Sequence, residues 1–177
     1  MELFGIQFDS AGNPLGDWVA DSTYPVPPDV TICTQEQANT WQAWTLVSGS
    51  LVQSLPYAQA TQSALIKQSY LAALNTPVTF TNAAGVTSTY AFGNTLTAGG
   101  SNAQQLLASI VAAGSAAWKA GVWFDTNGIA QTMTFADLQN LAEAVEAQET
   151  PDEKDLMSLL AQIQAATTVS AVQAIVW

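Results

Sequence analysis

Residues 122–138 read VWFDTNGIAQTMTFADL, and this stretch contains a complete hairpin followed directly by the start of a helix. The Asn127-Gly128 pair supplies the positive φ angle that a tight turn between two short strands requires. Thr134 and Asp137 then stand at the spacing of a capping box, in which hydroxyl and carboxylate each bind the other residue's backbone N–H group. The stretch therefore predicts an α+β fold built from small hairpins and capped helices.

The same alternation continues toward the N-terminus. Residues 78–92 are rich in Thr and aromatic residues, which is typical of strands, and predict another hairpin. Apolar residues repeat at intervals of three and four over 103–118, which predicts a helix capped by Ser101 or Asn102. A further helix is predicted from about residue 58 to Asn75.

The C-terminal part predicts two more helical segments. Thr150, Pro151 and Glu153 supply a hydroxyl cap, a proline in the first turn and a carboxylate at the third position, which together predict that a new helix begins there. A last short helical turn is predicted from Thr168, with Val172 on its buried side. The helix that begins at Thr134 is therefore expected to end before residue 150.

The sequence predicts two domains. A small strand-rich module is expected over residues 1–55, and a helical domain with interleaved hairpins over residues 56–177. Pro56 is expected to end the module. The predicted elements of the module are a strand at 2–9, a turn at 10–16, a return strand at 17–19, an extended connector at 24–28, a short helix capped by Thr34 and Gln37 that runs through Trp41 and Trp44, and a hairpin at 45–52.

The charges are distributed unevenly along a chain of net charge −11 that contains neither His nor Arg. Residues 37–124 hold no acidic side chain and only two charged ones, Lys67 and Lys119. Residues 1–36 hold six acids and no base, and residues 125–177 hold eight acids and one Lys. Because neutral surfaces tend to self-associate, we expect the middle of the chain to be covered by its own ends or by a partner.

Composition argues against several classes of partner. Three Lys cannot offset fourteen carboxylates against a polyanion, so we predict no nucleic-acid partner. No apolar run approaches the ~20 residues of a membrane span, and the first residues lack the basic start of a signal peptide. We therefore expect a soluble protein, made in a cytoplasm and without a membrane partner.

The sequence offers no convincing catalytic group. Cys33 has no His partner and is expected to be a small buried residue on a strand. Asp125 and Asp137 are candidates for paired carboxylates, but a turn and a capping box give each a local backbone role. Ser and Thr have only Lys67 or Lys119 as a conceivable base. We predict no enzyme, and no catalytic or cofactor-binding residue.

Metal and phosphate sites are weakly supported as well. The loop from Asp9 to Asn13 is similar to a calcium loop but lacks its later carboxylate. The acidic residues of 143–155 are expected to form the solvated outside of two helices. The Gly-rich residues 98–101 lack the Gly-Lys-Ser/Thr ending of a phosphate loop. We predict no metal ligand and no cofactor.

Aromatic residues crowd the first third of the chain. A module of about fifty residues cannot bury so many rings within itself, and Trp and Tyr are the side chains that anchor protein interfaces. Binding of a sugar by stacked rings is the rival interpretation. The predicted partner-binding residues are Trp18, Tyr24, Trp41, Trp44 and Tyr57.

A series of motifs from about residue 58 to 177 resembles a known domain family. The motifs are the helix around Tyr70, the hairpin of 78–92, the helix of 102–110, the Trp-containing turn of 123–128, the helix start of 133–138, and the closing stretches 163–167 and 172–177. The family, DUF4376, has no known biochemical function and occurs in phage tail-fibre operons. The first fifty residues resemble the N-terminal stretch of phage tail-fibre-assembly-like proteins, through residues 27–37 and 48–52.

These resemblances imply a role at the fibre end of a phage tail. The implied partners are tail-fibre or other tail proteins, and the implied location is the virion tail after synthesis in the bacterial cytoplasm. The Lys- and Glu-rich long helix of many relatives is missing here. The role stays open between a structural component and a fibre assembly or capping factor. Whether the protein forms a homo-oligomer on the tail also stays open.

Two functions from other classes also stay open. One is a carbohydrate-binding receptor-recognition module that uses the Trp and Tyr rings. The other is an acidic inhibitor of a host defence protein, for which the net charge of −11 suits a basic channel.

Overall fold

The computed structural model describes residues 1–92, 103–119 and 121–177, and its fold is α+β, as predicted. The chain divides into two compact units. The first unit contains residues 1–65 and 160–176, and the second contains residues 66–159 with Trp177. The boundary expected between residues 55 and 56 falls inside the first unit, so a separate domain of residues 1–55 stays a prediction.

The elements follow the predicted order of hairpins and helices, except that the separate helix predicted from Thr150 is part of a longer one. The described strands are β1 (Glu2–Phe8), β2 (Pro14–Asp21), β3 (Val30–Cys33), β4 (Trp44–Val47), β5 (Ser50–Gln53), β6 (Val78–Thr81), β7 (Thr87–Tyr90), β8 (Val122–Phe124) and β9 (Ala130–Thr132). The described helices are α1 (Gln35–Asn39), α2 (Leu55–Leu74), α3 (Ala103–Ala113), α4 (Phe135–Ala165) and α5 (Val169–Gln173). The predicted Ser101 or Asn102 cap and the Gly-rich residues 98–101 lie outside the described residues.

The first unit contains an antiparallel sheet in the order β2-β1-β3. Ile6 and Phe8 on the central strand are almost fully buried, as is Ala38 on α1. The N-terminus of α1 carries the predicted capping box between Thr34 and Gln37.

The prediction that α1 runs through Trp41 and Trp44 is wrong. The hydroxyl of Thr40 donates to the carbonyl of Glu36 at 2.9 Å, and its backbone N–H donates to the same carbonyl. A β-branched hydroxyl residue competes in this way with the continuing helix. A 3₁₀ turn at Trp41–Ala43 follows, and Trp44 begins β4.

The helix predicted from about residue 58 begins earlier, at Leu55, so Pro56 is the second residue of α2. The first N–H groups of a helix have no acceptor within the helix, so proline costs little there. Later in α2, Gln59 Nε2 donates to the carbonyls of Ile163 and Ala166 at 3.1 and 3.2 Å. These bonds satisfy carbonyl groups at the end of α4, within the first unit.

The second unit has its own hydrophobic core between the hairpins β6–β7 and β8–β9 and the helices α3 and α4. Its buried members are Val78, Tyr90, Phe92, Leu107, Trp123, Met133, Leu138, Leu141 and Val145. The predicted helix of 103–118 is shorter than expected, because α3 ends at Ala113 and Gly114 follows with φ +83°. Trp118 still packs on this core, and its Nε1 donates to the Met133 carbonyl at 2.9 Å.

The predicted helix start at Thr150 and Pro151 is wrong. α4 is one helix of 31 residues with Pro151 inside it. The cap-like spacing is a local signal, whereas continuity of the helix depends on apolar residues buried before and after the proline. Val145 is 4% and Ile163 is 0% exposed, and this burial offsets the missing backbone bond.

Replacing Pro151 with Ala is expected to raise the free energy of unfolding by about 1–3 kcal/mol, because an interior proline lacks an N–H donor and crowds the preceding turn. Chemical denaturation followed by circular dichroism measures this change. Thr150→Ala is the matched control and should change the free energy of unfolding very little. If Thr150 instead capped a separate helix, Thr150→Ala would lose about 1 kcal/mol and Pro151→Ala would gain nothing.

Candidate functional site

Three of the hairpins have the same five-residue loop, at residues 9–13, 82–86 and 125–129. In each loop the first residue is Asp or Asn, and its Oδ1 accepts the N–H groups of the third and fifth residues. The backbone N–H of the first residue donates to the carbonyl of the fifth, and the N–H of a Gly at the fourth position donates to the carbonyl of the first. That Gly has φ between +74° and +82° in all three loops.

This repeated loop was not predicted, although its sequence signal is short and visible. The pattern is Asp or Asn, two variable residues, Gly and a fifth residue. The turns were predicted one by one from their Gly and Asn content. Their common geometry follows from one side chain that satisfies two backbone donors of its own loop.

The loop geometry shows what Asp9 does. Its Oδ1 accepts N–H groups from Ala11 and Asn13 at 2.9 and 2.8 Å, and its Oδ2 accepts from Asn13 Nδ2 at 2.9 Å. The side-chain amide of Asn13 is the main cause that lowers the pKa of Asp9 below its usual value. Donors surround the carboxylate where a calcium ion would need free oxygen, so this loop is built to support a hairpin.

Asp125 has the same role in the hairpin β8–β9. Its Oδ1 accepts from the N–H groups of Asn127 and Ile129, each at 2.9 Å, and its Oδ2 accepts from Gln131 Nε2 at 3.0 Å. The backbone N–H of Ile129 contributes most to lowering the pKa of Asp125. The predicted turn role of Asp125 is confirmed.

Asp137 is a buried carboxylate that accepts three hydrogen bonds. Its Oδ2 accepts from the N–H and the hydroxyl of Thr134 at 2.8 and 2.7 Å, which confirms the predicted capping box. Its Oδ1 accepts the N–H of Ala83, in the loop of hairpin β6–β7, at 2.8 Å. Burial by itself raises the pKa of Asp137, but the bonds from Thr134 and Ala83 outweigh burial and leave the pKa lowered.

Further polar contacts join the two hairpins of the second unit. Asn82 Nδ2 donates to the carbonyl of Thr132 at 2.9 Å. The N–H of Thr126 donates to the carbonyl of Thr89 at 2.9 Å, and the two Thr hydroxyls lie 2.7 Å apart. The candidate acid–base pair Asp125 and Asp137 therefore belongs to a polar network that holds hairpins and the start of α4 together.

Cys33 lies on β3, as predicted, and is half-buried. Burial raises the pKa of its thiol, which favours the protonated form over the nucleophilic thiolate.

The acidic residues of 143–155 were expected to be solvated, but not all of them are fully so. Glu146 and Glu153 are exposed, but Glu149 is half-buried, and its carboxylate accepts from Gln104 Nε2 at 2.6 Å. These residues line a groove of about 370 Å³ between α3 and α4. Burial is the main cause that raises the pKa of Glu149.

The five predicted partner-binding aromatics all lie in the first unit, but they differ in exposure. Tyr24 is 66% and Tyr57 is 38% exposed, whereas Trp18, Trp41 and Trp44 are half-buried. These three Trp therefore contribute mainly to the packing of the module, and the two Tyr offer the accessible rings.

Two local contacts illustrate how the Trp residues pack. Trp44 Nε1 donates to the hydroxyl of Thr40 at 3.3 Å. The ring of Trp18 and the side chain of Val30 converge over Gly5, where a Cβ atom would lie 2.6 Å from Val30 Cγ1. Tyr57 lines a groove of about 280 Å³ beside α5, which none of the other four aromatics lines.

The second unit also has aromatic side chains at its surface, although none of them was among the predicted partner-binding residues. Trp118, Trp123 and Phe124 line a cleft of about 620 Å³, and Phe124 is 63% exposed. Ala91 and Ala103, on either side of residues that are not described, also line this cleft.

No helix within the described ranges is both long and apolar enough to cross a bilayer. Across the same part of the chain, no three His, Cys, Asp or Glu side chains are grouped as a metal ion would require.

Comparisons of the chain with protein-family models, with curated proteins and with solved structures found no match.

Proposed function

We propose that this chain is a non-enzymatic protein of a bacteriophage tail, associated with the tail fibre as a structural component or as an assembly or capping factor. It acts by protein–protein contact through its N-terminal residues. The observation that carries the proposal is the surface of residues 1–65, which combines exposed apolar side chains with acidic ones and contains no base. The exposed large apolar residues there are Met1, Leu15, Val19, Tyr24, Val26, Ile32, Val47, Val52, Tyr57 and Leu65.

Such a surface is suited to a protein partner. Exposed apolar side chains gain free energy when a partner removes them from water, at about 25 cal/mol per Å². Tyr rings bring a large rigid area and a polar tip, which is why they are frequent among residues that dominate binding energy. The carboxylates that looked most like chemical groups, Asp9, Asp125 and Asp137, accept hydrogen bonds from backbone donors of their own loops and cap, and Asp137 also from Ala83 in the loop of hairpin β6–β7.

The identification of the partner as a tail protein rests on the resemblance of residues 58–177 to DUF4376 and of the first fifty residues to tail-fibre-assembly-like proteins. Purified particles of the phage that encodes this chain provide the direct test. Quantitative mass spectrometry should find the chain in fixed ratio to the fibre if it is a structural component. If particles lack it, fibre trimerisation with and without co-expression of the chain tests the assembly role, and absence of both effects contradicts the proposal.

Tyr24→Ala and Tyr57→Ala are expected to weaken binding to the tail-fibre chain, with at least one of them causing a loss of about tenfold or more. Both side chains are exposed, so their removal should leave folding intact. Biolayer interferometry with purified proteins measures the affinity. Phe124→Ala is the control, because its ring is exposed, to an extent close to that of Tyr24, but lies in the second unit.

The outcome separates the proposal from its rivals. If all three variants bind the tail-fibre chain with the affinity of the wild-type protein, the N-terminal rings are not the contact surface. Binding of the purified chain to host polysaccharide, lost on Trp18→Ala or Trp41→Ala in a folded variant, would instead support receptor recognition.

A further inference from the structure

Strand β2 forms one edge of the three-stranded sheet, because the strand order is β2-β1-β3. The N–H of Ser22, directly after β2, donates to the carbonyl of Met1 at 2.8 Å, on the side of β1. Backbone groups of successive residues in a strand point to opposite sides. The N–H groups of Asp17, Val19 and Asp21 therefore point away from β1, toward an edge with which no described strand pairs.

The side chains at this edge are open as well. Val19 is 51% exposed, and Asp17 and Asp21 are exposed. The residues between them, Trp18 and Ala20, are half-buried. The edge thus presents free backbone donors together with an acid–apolar–acid series of side chains on one face of the sheet.

Asp17 opposes Ile6 in the pairing of β1 with β2, and Val19 opposes Phe4. The series therefore lies on the face that contains the buried side chain of Ile6. A strand added outside β2 would extend this face, and its residues opposite Asp17, Val19 and Asp21 would stand beside them.

Charge decides what kind of strand fits. Among the described residues the carboxylate of Asp17 has no hydrogen-bond or ion-pair partner. The Oδ1 atom of Asp21 accepts the N–H of Thr23 at 3.1 Å, and its Oδ2 atom lies 3.8 Å from the amino group of Met1. Residues 1–36 hold six acids and no Lys or Arg, so the ammonium group of Met1 beside Asp21 is the one cation in this segment, and Asp17 is left without one. Opposite charges directly across two strands stabilise the pairing, and like charges destabilise it.

The same rule argues against a second copy of this chain as the occupant. Antiparallel pairing of two β2 edges about Val19 would place Asp17 of each copy opposite Asp21 of the other. Both contacts would bring like charges directly opposite each other across the two strands, which destabilises the pairing. The edge therefore discriminates against self-association while leaving its backbone donors free.

We propose that the outer edge of β2 is a site of strand addition, and that its occupant is an extended partner segment in which two basic residues flank an apolar one at alternate positions. The basic residues lie opposite Asp17 and Asp21, and the apolar residue lies opposite Val19. Backbone hydrogen bonds supply affinity and the two ion pairs set the register, as in other complexes that extend a sheet by one strand. This inference rests on the proposed function and names the chemistry of the fibre segment.

The experiment uses the whole chain and a defined probe. The probe is an acetylated and amidated peptide with the centre Lys-Thr-Val-Thr-Lys, titrated into isotope-labelled protein and followed by NMR. We expect the amides of Asp17, Val19 and Asp21 to shift and to exchange more slowly with solvent. The amides of Trp18 and Ala20, which already face β1, should change little. A peptide with Glu in place of both Lys, and one with an N-methyl group on its Val, should not produce these changes.

Variants of the protein test the backbone and the charge separately. Val19→Pro removes the outward N–H without breaking a bond to β1 and should abolish peptide binding, whereas Val19→Thr retains that N–H and should bind. Asp17→Lys should weaken binding of the Lys peptide about fivefold or more and favour the Glu peptide. Asp155→Lys, on the exposed side of α4, makes the same change of charge elsewhere and should have no effect.

The results distinguish this inference from the proposed function. Strand addition at β2 is overturned if the N-methyl peptide binds with the same affinity as the unmodified one. It is also overturned if the Asp17→Lys variant binds the Lys peptide with the affinity of the wild-type protein. Fibre binding that persists in Val19→Pro also overturns it while leaving the proposed function intact. An edge whose acids serve only to prevent aggregation would bind neither peptide.

Discussion

Replacing Gly12 with Ala should destabilise the protein by about 3 kcal/mol or more, since two separate costs combine at this position. Gly12 has φ +82°, a conformation that L residues with a Cβ atom rarely adopt. A Cβ atom at Gly12 would also press against the backbone oxygen of Leu46. Backbone cannot move aside as a flexible side chain can, particularly because the N–H of Leu46 donates to the Gly12 carbonyl at 3.0 Å.

The repeated loop provides unusually close controls for this prediction. Gly85 and Gly128 occupy the same loop position, with φ +77° and +74°, and nothing lies within 4 Å of a Cβ atom built on either of them. Gly85→Ala and Gly128→Ala should therefore cost only the conformational part, about 1–2 kcal/mol each. Urea denaturation of the three variants measures the difference. An equal cost in all three would mean that β4 is not held against the first loop.

Replacing Asp137 with Ala is the second change for which we expect a large effect, a loss of about 3 kcal/mol in the free energy of unfolding. The substitution removes the carboxylate half of the capping box, while the Thr134 hydroxyl still accepts the backbone N–H of residue 137. It also removes the hydrogen bonds that the carboxylate accepts from Thr134 and Ala83, and a hydrogen bond to a charged group contributes about 1.5–3 kcal/mol. Thermal and urea unfolding measure the loss. Asp155→Ala, at an exposed position of the same helix, should change stability by less than about 0.5 kcal/mol.

The pH dependence of the Asp137→Asn variant tests the role of the charge. The pKa of Asp137 is lowered in the folded protein, so the ionised carboxylate stabilises the fold above its unfolded pKa of about 3.9. This contribution is lost as the pH falls through the lower, folded pKa. The stability difference between the wild type and Asp137→Asn should therefore be largest near neutral pH and should shrink as the pH falls below about 4.

Constancy of that difference across the acid range would show that the hydrogen bonds, and not the charge, account for the contribution of Asp137. Asp9 and Asp125, whose pKa values are also lowered, are present in both proteins. Their contributions to the pH dependence of the free energy of unfolding therefore cancel when the two proteins are compared at each pH.

Much of the local structure was predictable because it is decided within five residues. The capping boxes at Thr34 and Thr134 and the turn at Asp125 depend on the hydrogen-bonding capacity of neighbouring side chains. These elements appear in the structure as predicted, whereas the turn expected at 10–16 is shorter, because β2 begins at Pro14. The repeat of one loop in three hairpins was equally accessible from the pattern of Asp or Asn followed three residues later by Gly.

The candidate contact surface was only partly predictable. Composition identified the aromatic-rich N-terminal third, because so many rings exceed what a small module can bury. It could not separate the exposed Tyr24 and Tyr57 from the half-buried Trp18, Trp41 and Trp44. Exposure depends on which rings other segments cover, and that information is distributed over the whole first unit.

The sequence by itself determined the α+β class, the order of hairpins and helices, and the uneven charge that leaves residues 1–36 without a base. Only the tertiary structure decided that α4 continues through Pro151, that Gly12 lies against the backbone of Leu46, and that β2 is an edge strand with outward donors at Asp17 and Val19. The physical reason is the range of the interactions involved. Caps and turns are settled by neighbours in sequence, whereas helix continuity, close backbone approach and strand order are settled by burial against residues far along the chain.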